Sequence, residues 1–104
     1  MSQRRLDLQV VRDVREQTGN IPVVMHGGSG VSTEDFHQAV GAGVRKVNYF
    51  TYMDKSGGQA AKAYVEETEP QSPLFFSSLI ARAEAAMKED VRRAMATFAL
   101  LDQQ

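Results

Sequence analysis

His26-Gly27-Gly28-Ser29-Gly30 holds a histidine, a hydroxyl and three glycines within five positions. Glycine lets backbone N–H groups approach an anion, and a helix starting just after the loop adds partial positive charge. A histidine ahead of such a loop suits metal ligation or proton transfer. The plainer reading of the same letters is a tight strand-to-helix turn with a hydrogen-bonded histidine. Further along come Asn48 and Thr51, two polar groups that suit a phosphate cradle at the end of a second strand. The alternative for Asn48 is an asparagine capping nearby backbone groups.

Other loop motifs fail on their letters. A nucleophile elbow needs Gly-x-Ser-x-Gly, and Val31 stands at the last glycine. Ser29 interrupts a lipase-type His-Gly-Gly-Gly. Thr33 takes the third-glycine position of a Rossmann fingerprint, and no Walker lysine follows. The phosphate-loop reading therefore stands above an α/β-hydrolase. His37 has no ligand partner at i±4, which predicts a solvated helix histidine. Tyr49, Phe50 and Tyr52 either wall a pocket or pack, and Arg92-Arg93 either belongs to a solvated face or reaches a phosphate.

These residues need elements to position them. Leu6, Val10 and Val14, with Val11 beside them, predict an amphipathic helix ended by Gly19-Asn20. Ile21-Pro22-Val23-Val24-Met25 predicts a strand covered on both faces, as in a parallel sheet. Ser32 and Asp35 resemble a capping box opening a second helix, with Phe36, Ala39 and Val40 as its stripe and Gly43 as its cap. Val44–Phe50 predicts the next strand, Asp54–Gly58 a turn, and Gln59–Glu67 a helix. Residues 66–73 predict a surface loop. Ile80, Ala83, Met87, Val91, Ala94 and Phe98 then predict a long final helix whose stripe packs in a core or interface. Strands alternating with helices imply an α/β fold with right-handed crossovers.

Composition bounds the function. With 12 Lys+Arg against 13 Asp+Glu in 104 residues, the net charge of -1 offers no basic footprint for nucleic acid. No cysteine is present, which excludes disulfides, Cys-ligated zinc and a thiol nucleophile. No apolar run approaches the roughly 20 residues of a membrane span. Arg4-Arg5 leads into an amphipathic stretch without the apolar region of a signal peptide. These features point to a soluble, cytoplasmic chain.

The runs Ile21–Asp35, Ala42–Asn48 with Thr51, and Met87–Phe98 together resemble the C-terminal part of class II, zinc-dependent fructose-bisphosphate or ketose-bisphosphate aldolases. The likeness extends from about Leu6 to Phe98. It implies a partial (β/α)8 TIM barrel: helix six, strand seven, helix seven, strand eight and the C-terminal helices. Residues 1–104 would be incomplete as a domain, since a full barrel takes about 250 residues.

The resemblance also implies site roles. His26 matches a zinc ligand; Gly27, Gly28, Ser29 and Thr51 match phosphate-binding residues, near a site for a monovalent cation. Asn48 matches a contact to the dihydroxyacetone phosphate portion of the substrate. Zinc in that family acts as a Lewis acid in reversible cleavage of a phosphorylated ketose to dihydroxyacetone phosphate and an aldehyde. No catalytic acid or base is carried over, because the family's aspartate and its other two histidine ligands lie in the N-terminal half. Phe50 and Tyr52 stand where members acting on fructose bisphosphate have an amide or acid, and Asp54–Gly58 replaces an acidic, arginine-bearing segment. The isolated chain is expected to be inactive. Its expected partners are the missing half-barrel, supplied in trans or replaced by self-association, and a phosphorylated ketose. A non-catalytic phosphate-binding or structural remnant is the alternative.

Overall fold

The computed structural model describes residues 5–26 and 30–103. Within them the chain is helix-rich, with one small parallel sheet. Helices α1 (Leu8–Gln17), α2 (Thr33–Ala42), α3 (Thr51–Glu67) and α4 (Phe76–Phe98) are joined by strands β1 (Val23–Met25) and β2 (Val44–Val47). A short 3-10 helix, Leu101–Gln103, follows α4. Among the described residues no helix is long and apolar enough to cross a membrane.

The chain divides into two compact units, the first made of residues 1–49 and 95–104, the second of residues 50–94. In the first, β1 and β2 pair in parallel, with Val23 opposite Val44 and Met25 opposite Val47. The core is Met25, Val31, Phe36, Ala39 and Val44, with Leu6, Leu8, Val11, Val23, Val47 and Phe98 packed against it.

The α1 stripe differs from the one its spacing predicts. Asp7 caps the helix by accepting from the Gln9 N–H at 3.1 Å. That start places Leu6 and Val11 at the two positions of a hydrophobic staple. They face the core with Leu8, whereas Val10 and Val14 are exposed. The β1 strand is likewise not covered on both faces: Met25 is buried, but Val24 and the preceding Ile21 are exposed. Two strands offer a single ladder, so the remaining face and edges have no sheet partner within the described residues.

Ser32 caps α2 by accepting from the Asp35 N–H at 3.1 Å, as the capping-box pattern predicts. Gly43 closes it at φ 136°, a conformation that disfavours any side chain. Strand β2 ends at Val47, before Tyr49 and Phe50.

In the second unit, the turn predicted over Asp54–Gly58 is instead the middle of α3. Packing overrides local propensity there. A Cβ on Gly57 would lie 2.8 Å from Cγ and Sδ of Met87, so glycine admits a close approach of α4. Ser56 donates to Asp90 Oδ1 at 3.2 Å, and Arg82 pairs with Glu67 while lying 5.3 Å from the Tyr64 ring centroid. The α4 stripe of Ala83, Met87, Val91 and Ala94 is half-buried, in keeping with a packing face.

Candidate functional site

The parallel ladder brings two of the predicted site residues together. Met25 and Val47 are register partners at the C-terminal ends of β1 and β2. One position further on, the Asn48 N–H donates to the Met25 carbonyl at 2.9 Å, so His26 and Asn48 leave the sheet side by side. The Asn48 amide Nδ2 lies 2.7 Å from His26 Nδ1 and 3.4 Å from Nε2. The amide nitrogen is thus in close contact with the imidazole, nearest Nδ1. His26 is exposed and Asn48 half-buried. The pair offers a polar edge at the C-terminal ends of the strands.

Gly27, Gly28 and Ser29 lie outside the described residues. On the far side of that loop, Gly30 is buried at φ 82° and Val31 enters the core. Thr51 opens α3 in the second unit and is exposed. Of the aromatic residues at the strand exit, Tyr49 packs edge-on against Phe98 at 5.8 Å, Phe50 is exposed, and Tyr52 is half-buried.

Two charged arrangements in the first unit escape local sequence patterns. Asp35 is buried, and its Oδ2 lies 3.3 Å from Arg5 Nε, within ion-pair distance but outside hydrogen-bond geometry. His37 is not a solvated histidine: its side chain is 10% exposed, and Nε2 lies 2.8 Å from Asp102 Oδ1. Glu34 Oε2 lies 3.9 Å from its Nδ1. The i±4 rule misses this partner because Asp102 is 65 residues away in sequence.

Among the described residues, no group of three or more His, Cys, Asp or Glu is arranged to hold a metal ion. A catalytic zinc takes three protein ligands. Among the described residues His26 is the one predicted ligand, and its Nδ1 contacts the Asn48 amide.

Comparison with known families bears on the whole of this arrangement. The family model described as fructose-bisphosphate aldolase class-II matches residues 1–103. That match takes in α1, both strands with the loop between β1 and α2, and the terminal helices together, and the chain belongs to the class II fructose-bisphosphate aldolase family.

Proposed function

We propose that this chain supplies the phosphate-binding side of a class II aldolase site and forms the C-terminal part of its (β/α)8 barrel. In that reading α1, β1, α2 and β2 are helix six to strand eight, and residues 1–104 are not a complete domain. The substrate is a phosphorylated ketose, cleaved reversibly to dihydroxyacetone phosphate and an aldehyde in the cytoplasm. Gly27, Gly28, Ser29 and Thr51 bind phosphate, with a monovalent cation nearby, and Asn48 orients the ketose portion. The observation that carries the reading is the seating of His26 and Asn48 side by side at the C-terminal ends of two parallel strands. That end of the strands is where α/β folds bind ligands.

Class II aldolases are generally zinc-dependent. The described residues do not fit a zinc site by themselves, since His26 is a single ligand in contact with Asn48. His26 becomes a ligand when a partner segment brings the remaining donors. We therefore expect no aldol cleavage by the 104-residue chain alone. Turnover is expected only when a segment with two further histidines and an aspartate is supplied, in trans or on the same polypeptide.

The test has two arms. Titration with inorganic phosphate, followed by phosphorus NMR, is expected to show saturable binding that Gly28→Asp abolishes. A coupled assay for dihydroxyacetone phosphate is expected to read zero for the chain alone. Cleavage of any ketose bisphosphate by the chain alone overturns the half-site reading. Absence of phosphate binding favours the second reading, a non-catalytic structural remnant, which draws support from Phe50 and Tyr52 standing in place of hydroxyl-binding groups.

A further inference from the structure

The C-terminal turn is fastened to the elements that carry the histidine-asparagine pair. The Phe98 ring meets two others edge-on: Phe36 of α2 at 4.9 Å and 62°, and Tyr49 at 5.8 Å and 75°. Tyr49 directly follows Asn48. Beyond α4, Leu100 takes φ 62°, a left-handed conformation that strains a non-glycine residue. That reversal carries Asp102 back over the preceding helix. Its Oδ1 lies 2.8 Å from His37 Nε2, and its Oδ2 accepts from Thr97 Oγ1 at 2.9 Å. Both carboxylate oxygens of Asp102 are engaged in the first unit, on α2 and on the end of α4.

We propose that Phe98 and Asp102 are positioning residues, which clamp Tyr49 and thereby aim the Asn48 amide at His26. The proposal rests on His26 and Asn48 being the site. Strand β2 ends at Val47, so Asn48 keeps one ladder bond, to the Met25 carbonyl, and then leaves the sheet. One backbone bond fixes the position of residue 48 but not the direction of its side chain. The second constraint is the docking of Tyr49 on Phe98, which sets the backbone on the far side of Asn48. Phe98 is in turn held by Phe36 and by the Asp102 bonds that tie the turn to His37 and Thr97. A clamp of this kind lets the C-terminal turn govern how closely the Asn48 amide is held against the imidazole.

The test reads the two ring nitrogens of His26 by NMR in the nitrogen-15-labelled 104-residue chain. The wild-type chain is expected to show one sharp set of His26 nitrogen signals. Asn48→Ala supplies the signature of the lost contact, a displacement of both nitrogen signals. Phe98→Leu and Asp102→Ala are expected to move the His26 nitrogens in that same direction. Asp102→Asn, which still accepts from Thr97 and bonds His37, is expected to restore the wild-type signature. If Asp102→Ala unfolds the chain, the milder Phe98→Leu carries the test, with hydrogen exchange at Met25 and Val47 reporting an intact sheet. Wild-type His26 signals in Phe98→Leu with the sheet intact would overturn the clamp. Because the readout needs no bound phosphate or metal, failure of the clamp is distinguishable from failure of the site reading, which appears as absent phosphate binding.

Discussion

At the scale of single residues, the buried carboxylate of Asp35 makes the sharpest energetic demand in the first unit. A carboxylate removed from water needs charge or hydrogen-bond compensation. The Asp35 side chain is 6% exposed, and the counter-charge described for it is Arg5, itself 82% exposed. The solvent around Arg5 screens the pair, so its worth falls well below that of a fully buried one. Arg5→Ala is expected to destabilise the chain by about 1–2 kcal/mol in urea unfolding, because it strands the charge. Adding Asp35→Asn to Arg5→Ala is expected to recover part of that loss, since an amide is cheaper to bury than an unpaired carboxylate. An additive double mutant would show that the two residues do not act as a pair.

At the scale of elements, α3 carries two adjacent glycines with opposite predictions. Gly58 has open space where a Cβ would go, so Gly58→Ala is expected to stabilise the chain by about 0.5–1 kcal/mol through helix propensity. Gly57 is buried against Met87, and Gly57→Val is expected to cost about 1–3 kcal/mol by overpacking. Thermal denaturation of the two variants checks both signs at once. On the surface of α4, the Arg92 guanidinium hydrogen-bonds Glu89 at 2.6 and 2.9 Å and holds that carboxyl below its ordinary range. A carboxyl with a lowered folded pKa contributes stability above its unfolded pKa, and that contribution is lost as pH falls through the folded value. Both side chains are exposed, so the difference between Glu89→Gln and wild type should be small at neutral pH. It should vanish in strong acid, and also in high salt at neutral pH. Midpoints compared across pH and salt test this.

At the scale of the whole molecule, more large hydrophobic side chains among the described residues are exposed than buried. Five of the described hydrophobic residues form the buried core, while Ile21, Val24, Phe50, Phe75, Phe76 and Met95 are among those exposed. Val24 and Ile21 flank a strand whose sheet has two members, an arrangement that invites pairing with further strands. The purified chain is therefore expected to bind a fluorescent apolar dye and to self-associate with rising concentration in sedimentation velocity. Val24→Lys on β1 is expected to reduce that association. A monodisperse monomer with no dye binding would show that these surfaces do not associate.

Local order explains which parts of the protein are legible in its letters. Pattern and capping sufficed for the α2 boundaries, the Gly43 cap, both strand cores and the long α4, because each depends on neighbours within a few residues. The loop His26–Gly30, with Asn48, pointed to the site and to the family, since strand ends and glycine turns are local features too. Four matters lay beyond that range. Leu8 rather than Val10 or Val14 faces the core because Asp7 sets the start of α1. Gly57 and Gly58 are helical because α4 packs closely on one of them. His26 meets Asn48 only through the register of a parallel ladder, and His37 meets Asp102 only through the strained reversal at Leu100. Sequence by itself determined helices α1, α2 and α4, the cores of both strands and the family of this protein. Only the tertiary structure decided which side chains touch, because contacts across 22 and 65 residues of chain depend on packing and register.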